Sequence, residues 1–424
     1  MFYKFIKKID KNIFIKNFTI LSLGSIFSQL IVFFATPLLT RIYKPEIFGL
    51  FTLFIAISST FSLVSSGRFN TAVVVAKNKN ESVTLFHLSI LITTIFSILF
   101  FFIIFIGENF FKQILNAKKL GFWWYFIPIL IFLESIIILF KDYANRIKNY
   151  SILSKLIVFR VLLYVTIAVI CGFLGYVSEG LFIAYLLSYL ITLVFFKFKI
   201  KKFVKINFFA QGPKFIKTIK KFYIFPLNSY AHILNSLMTY IPIYFISKSY
   251  SLSILGYYAL TLNAIFLPLS FISNSVSTIN LRKVPELIKN RENLLKYFFK
   301  NTFYLTVLVT LPAIILTLYA PEICIFVFGK EWQTTGEFIK ILMPSFAIIF
   351  VVSTLSPILF STFNNHLYTY WNIISFLLTL LFFLKFSSKL NIYDLLLYLS
   401  FLNIFLYLIY YIFIFYSVKN PKNV

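Results

Sequence analysis

Acid is the scarcest thing in this chain. Of 424 residues only 13 are Asp or Glu, against 40 Lys and Arg, and charged side chains of both signs together make up 12%. Soluble domains carry about a quarter of their residues as charges. With 60% hydrophobic and 21% aromatic residues, no globule of this length could hide its apolar surface from water. The two cysteines, Cys171 and Cys324, stand in separate apolar runs outside any CxxC pattern, which excludes a disulfide framework or a cysteine metal site. His87, His232 and His366 are likewise scattered, with no HExxH and no paired carboxylates. That argues against a zinc hydrolase. The string nearest to a phosphate-binding loop, Gly329-Lys330-Glu331, lacks the hydroxyl and the preceding glycine, so direct use of ATP is excluded. No loop gathers serine, histidine and acid, and the expectation is of a protein that is not an enzyme and uses no cofactor or metal.

What the chain does have is long apolar runs. A helix needs about 20 apolar residues to cross about 30 Å of hydrocarbon, and by that rule the spans fall at about 17–40, 46–67, 82–107, 121–140, 153–175, 178–197, 222–246, 252–275, 298–320, 336–360, 366–386 and 391–417. The first run is too long for a signal-peptide core and no A-x-A site follows it, so it is expected to remain as a span. Ahead of it, Met1 to Lys16 sets Phe2, Phe5, Ile6, Ile9 and Ile13 at helical spacing against Lys4, Lys7, Lys8 and Lys11. This pattern predicts an amphipathic helix on the membrane surface.

Near the midpoint lies Phe196 to Lys221, which carries Lys197, Lys199, Lys201, Lys202, Lys205, Lys214, Lys217, Lys220 and Lys221 and no acid. Clustered cations are held on the cytoplasmic side. Fixing this segment inside places both termini inside, and most of the 40 cations then fall in cytoplasmic segments. The net charge of +27 points to anionic lipid headgroups as partners rather than to nucleic acid. The expected organisation is a surface helix at 1–16, a six-helix bundle at 17–197, a basic cytoplasmic linker at 198–221 and a second six-helix bundle at 222–424. No loop is long enough to fold alone.

The halves repeat. Arg41-Ile42-Tyr43 through Gly49 to Leu53 lies over Lys248-Ser249-Tyr250 through Gly256 to Leu260 at a constant offset of 207, with Arg41 facing Lys248. Six spans per repeat is an even number, so both halves enter the membrane in the same direction, related by an axis along its normal. The expected fold is all-α and membrane-integral: about twelve transmembrane helices in two six-helix bundles related by a pseudo-two-fold. Prolines 37, 128, 226, 242, 268, 312, 344 and 357 interrupt many spans and are candidates for kinks. Ionisable residues inside spans are costly, at about 2.5–3.5 kcal/mol on insertion scales. Arg160 in the fifth span and Glu134 in the fourth are therefore candidates for a polar cavity, or for a structural pair across adjacent spans. Arg68, Arg282, Lys283 and Lys340 sit at span ends and could equally reach for headgroups.

Four stretches resemble segments of the bacterial polysaccharide-biosynthesis flippases, the O-antigen or capsule repeat-unit translocases of the multidrug/oligosaccharidyl-lipid/polysaccharide exporter superfamily. They are TRIYKPEIFGLFTL, Lys141 to Arg160, Leu255 to Ser277 and Ala320 to Ser345, in the same order as in that family. The resemblance implies two bundles around a cationic cavity, alternating access, and a polyprenyl-pyrophosphate-linked glycan as substrate, moved across the bacterial inner membrane. It makes Arg41, Arg68, Arg146, Arg160, Lys248 and Arg282 the candidate anion contacts, with other polysaccharide-assembly proteins as partners. Glu134 is the candidate for ion coupling. The second-half counterpart of Arg41 is a lysine, which attracts phosphate but cannot form the planar bidentate contact. A drug/cation antiporter of the same superfamily is the alternative; a membrane polymerase or ligase would need a large outer loop.

Overall fold

The computed structural model describes residues 23–114, 117–201, 208–225, 230–290 and 292–421. The surface helix expected at Met1 to Lys16 lies outside the described residues, as do Lys202 and Lys205 of the basic segment. Among the described residues all regular structure is helical. Eleven helical stretches are long and apolar enough to cross a membrane, and Tyr230–Ser249 adds a helix of 20 residues at the place of the seventh expected span. The protein is a multi-pass membrane protein.

The chain divides into two compact units. One takes the chain up to Tyr43 together with Leu53–Ile233, and the other takes Lys44–Thr52 and Leu234–Val424. The first contains α1 (Leu23–Ile42), most of α2 (Pro45–Ser65), α3 (Phe69–Val75), α4 (Lys79–Ile106), α5 (Glu108–Ile114), α6 (Ile127–Arg146), α7 (Tyr150–Phe173), α8 (Gly180–Lys201) and α9 (Phe208–Phe222). Its core is built from Phe69, Val73, Leu85, Phe86, Ile137, Phe140, Leu156, Phe196 and Phe222. The expected loop at 68–79 is largely the short helix α3, because Phe69, Ala72 and Val73 bury themselves against that core. The turn into it is made by two residues in left-handed conformation, Gly67 at φ 56° and Arg68 at φ 60°. Pro128 starts a helix instead of interrupting one: it stands in the first turn of α6, where its missing N–H has no partner to lose.

The second unit contains most of α10 (Tyr230–Ser249), and α11 (Leu252–Lys289), α12 (Leu294–Phe328), α13 (Gln333–Leu355), α14 (Pro357–Ser361), α15 (Asn365–Phe386) and α16 (Ile392–Lys419). Helices α11 and α12 run well past the spans read from hydropathy, since Arg282, Lys283 and Glu286 are good helix formers that hydropathy counts against a span. The expected tenth span, 336–360, breaks where Pro357 opens α14.

Lys44–Thr52, the first turns of α2, belongs to the second unit, and a reciprocal close approach explains why. A Cβ on Gly49 would collide with the carbonyl oxygen of Leu252, and a Cβ on Gly256 with that of Pro45. Gly49 and Gly256 are 207 positions apart, and so are Pro45 and Leu252. The contact thus repeats itself on exchange of its two sides, at the offset read from the sequence. Trp332, almost fully buried, closes over it with its ring 5.1 Å from Phe48 and 5.9 Å from Tyr257. The repeat also shows inside each unit by itself. The Tyr43 hydroxyl donates to the Ala168 carbonyl at 2.7 Å, and the matching Tyr250 hydroxyl donates to the Leu390 carbonyl at 2.8 Å.

Candidate functional site

Helices α2, α6, α7 and α8 of the first unit carry hydroxyl, carboxylate and guanidinium groups into an apolar interior. Glu134 lies in the run Ile131-Phe132-Leu133-Glu134-Ser135-Ile136-Ile137 on α6 and is 3% exposed. A carboxylate so placed has to be compensated by donors. Its Oε1 accepts from Ser59 at 3.2 Å, from Ser58 at 3.4 Å and from Tyr185 at 3.1 Å. Successive turns of α2 extend the hydroxyl face. The Ser65 and Ser135 hydroxyls are 2.6 Å apart, and the single Ser135 O–H has the Ile131 carbonyl oxygen at 2.7 Å and that of Ser62 at 3.1 Å as acceptors.

Arg160 stands near the middle of α7, whose start is capped by the Asn149 side chain accepting from the Ile152 N–H at 3.1 Å. Its guanidinium carbon lies 4.7 Å from the centre of the Tyr189 ring. Tyr189 and Tyr185 are four residues apart on α8, so both rings leave the same face, 5.0 Å apart, with hydroxyls at 3.3 Å. Tyr164, one turn beyond Arg160, sets its ring edge-on to Tyr185 at 5.9 Å. The cation and the anion are therefore joined through two tyrosines and not directly. Lys112–Glu108 and Lys221–Glu81 form ion pairs, whereas Glu134 and Arg160, expected as a possible structural pair, make no direct ion-pair contact among the described residues and attract each other only across the tyrosines. The Arg160 Nε is buried without a hydrogen-bond partner among the described residues. A guanidinium held by an aromatic face and not consumed by a carboxylate keeps its fork of N–H donors for an incoming anion.

Arg68 lies at the far end of the same hydroxyl ladder. There Ser66 donates to Asn70 at 2.7 Å and the Asn70 amide donates to Asp142 at 2.6 Å. A cavity of about 20 Å³ between Ser62, Ser66, Arg68, Asn70 and Ser135 has room for one water. Asp142 supports the Arg68 charge against the partial burial that opposes it. Arg146 ends α6 and donates to the Lys77 carbonyl at 3.3 Å. Arg41, Lys248 and Arg282 are exposed. So of the six expected anion contacts, Arg160 rests on Tyr189 and Arg68 lines a small polar cavity, both in the first unit, Arg146 donates to a backbone carbonyl, and the other three are exposed.

Sequence reasoning missed Tyr185, Tyr189, Ser58 and Ser59. The signal was there as hydroxyls recurring at helical spacing within apolar runs, opposite spans that carry a lone charge. A cavity of about 560 Å³ in the second unit is lined by Val309, Thr310, Pro344, Val351, Tyr411 and other uncharged side chains. It offers nothing to hold an anion.

Comparison with known proteins agrees with this architecture. The family model described as "Polysaccharide biosynthesis protein" matches residues 38–337. Among solved structures, the lipid II flippase MurJ in an inward closed conformation is 15% identical, with a TM-score of 0.69 over 94% of this chain and 87% of that one. A multidrug resistance MATE family transporter of the MOP superfamily is 13% identical. Its outward-facing conformation gives a TM-score of 0.58 over 96% of this chain and 97% of that one. Its inward-facing conformation gives 0.54 over 94% of each. At such identities the likeness is one of fold. No curated protein matches the sequence. The family match covers well over half of the chain, and the protein belongs to the polysaccharide biosynthesis protein family.

Proposed function

We propose that this protein is a flippase that carries a polyprenyl-pyrophosphate-linked oligosaccharide repeat unit from the cytoplasmic to the outer leaflet of a bacterial inner membrane, for O-antigen, capsule or a related surface polysaccharide. The observation that carries the reading is Arg160, a guanidinium inside the membrane-spanning body of the first unit that rests on Tyr189 and is in direct ion-pair contact with no carboxylate among the described residues. A half-buried cation within an apolar span is costly, which makes Arg160 a candidate contact for an anion. Membership of a polysaccharide biosynthesis family and a fold shared with a lipid II flippase support a lipid-linked glycan as that anion.

In this mechanism the pyrophosphate enters with its sugar, meets Arg160 and, nearer the cytoplasm, Arg68 and Arg146, while the prenyl chain stays in lipid. Arg41, Lys248 and Arg282 contact the headgroup at other stages. The bundles at 17–197 and 222–424, joined by the linker at 198–221, rock to expose the sugar outside, with both termini cytoplasmic. A negative interior drives anionic charge outward by about 2.3 kcal/mol per charge per 100 mV, so the potential alone can set the direction.

One observation favours a second reading, in which Glu134 couples the cycle to a proton or sodium ion or serves a drug/cation antiporter. Its buried carboxylate accepts from the neutral hydroxyls of Ser58, Ser59, Ser62 and Tyr185 and, among the described residues, forms no ion pair. The test replaces Arg160 with Lys, Gln and Ala at equal expression and scores surface glycan and lipid-linked intermediates. Loss of glycan with full-length units accumulating on the inner leaflet supports the flippase. Normal glycan with all three, or loss of drug efflux in its place, removes it.

A further inference from the structure

The helix α9 is more than a tether between halves. Successive residues of an α-helix are turned by 100°, and over 214–223 this sorts the side chains into three arcs. Phe215, Thr218 and Phe222 share one arc and face the protein: Phe222 is 8% exposed and belongs to the first unit's core, Phe215 packs against it, and Thr218 is 9% exposed with its hydroxyl returned to the Lys214 carbonyl at 2.8 Å. Lys221 pairs with Glu81 in the first turn of α4, fixing the helix by its end. The second arc is apolar yet uncovered. Ile216 is 68% exposed, Ile219 39% and Tyr223 57%. The third arc holds Lys214, Lys217 and Lys220, all exposed and without an acidic partner among the described residues.

A solvated charged face explains the third arc but not the second. An exposed stripe of Ile, Ile and Tyr flanked by lysines, on a helix clamped to the end of a membrane span, fits a surface that is apolar inside and anionic outside. Phe196 to Lys221 contains no acid to neutralise these lysines, and none pairs with them among the described residues. We infer that α9 is a binding surface for anionic phospholipid: Ile216, Ile219 and Tyr223 enter the acyl boundary while Lys214, Lys217 and Lys220 hold headgroup phosphates. This does not depend on what the protein transports. It needs only that the first unit lies in a bilayer. Each lysine is expected to contribute about five-fold to the preference for an anionic lipid, and the preference fades as salt shortens the Debye length.

The test uses the full chain carrying Tyr223→Cys with an environment-sensitive label; both native cysteines are buried. It is reconstituted into vesicles of mixed phosphatidylcholine and phosphatidylglycerol, in which one lipid or the other has brominated acyl chains. Quenching by either lipid at high salt, with phosphatidylglycerol strongly enriched at low salt, is the expected result. The triple variant Lys214→Gln, Lys217→Gln, Lys220→Gln should lose the enrichment and keep the quenching, and the corresponding triple Arg variant should keep both. No quenching by either lipid would put α9 in water and overturn the proposal. Equal quenching at all salt concentrations would overturn the anionic part of it, as would enrichment that survives in the Gln variant.

Discussion

Gly49 and Gly256 lie against each other's chain in a reciprocal contact, each shielded from having a side chain by a carbonyl oxygen four residues before its partner. Such an approach admits no Cβ without movement of backbone. Alanine at either position is expected to lower stability by about 1–3 kcal/mol, the usual cost of overpacking a well-filled site. Because both substitutions act on one contact, the double variant should cost clearly less than the sum of the singles. Thermal unfolding of the four proteins in one detergent checks this, and strict additivity would show that the two glycines are independent.

This pair also shows what the sequence could reveal. The offset of 207 was visible because the close approach demands glycine on both sides, and a demand of that kind leaves identical letters behind. The tyrosines that seat Arg160 left no such mark. The chain has 27 Tyr and 57 Phe, so Tyr185 and Tyr189 look like any other aromatic residues of a span until their four-residue spacing is set beside an unpaired charge on another helix. Arg160 and Glu134 could be picked out singly, because charge in an apolar run is conspicuous. Their relation could not, since hydropathy says nothing about which faces of two helices meet. The docking of α9 was hidden for a similar reason: Phe215 and Phe222 read as ordinary aromatics within a basic segment.

Glu134 is held by donors from two helices, and its variants should separate geometry from charge. Gln in its place keeps an acceptor for Ser59 and Tyr185, whereas Ala removes it; Ser58 keeps the Ile55 carbonyl at 3.0 Å in either variant, so the loss falls on Ser59 and, in part, on Tyr185. Each unsatisfied buried donor costs about 1–3 kcal/mol. Glu134→Ala is therefore expected to be markedly less stable than Glu134→Gln, measured by thermal unfolding. Equal stability would mean that the hydroxyls find other acceptors at no cost.

At the other end of α4 the carboxylate of Glu108 is held below the usual range, first by the hydrogen bond from Lys112 and then by that from Tyr125 at 2.7 Å. A carboxyl depressed by folding contributes stability above its unfolded value and loses it as pH falls through its folded value. The attachment of α5 should thus weaken on acidification below about pH 4, the ordinary carboxylate range. Hydrogen exchange of the Glu108–Ile114 amides should speed up there. In Lys112→Met the same loosening is expected at higher pH, and an unchanged profile would show that the pair does not hold α5.

Tyr189 gives two things to its neighbours, a ring to Arg160 and a hydroxyl to Tyr185, and the two can be removed one at a time. Tyr189→Phe keeps the ring, so Arg160 should stay seated. Tyr189→Leu removes the ring and with it a cation–π contact worth about 0.5–2 kcal/mol. Freed from that face, the guanidinium gains rotamers and loses its preset geometry for a phosphate, which lowers affinity by raising the ordering cost of binding. Binding of a short polyprenyl pyrophosphate to the purified full chain, followed as thermal stabilisation, should be close to normal in the Phe variant. In the Leu variant it should weaken about two- to thirty-fold, the same energy expressed as an affinity. If Phe and Leu weaken binding equally, the hydroxyl link to Tyr185 and Glu134, rather than the ring, is what presents Arg160 to its ligand.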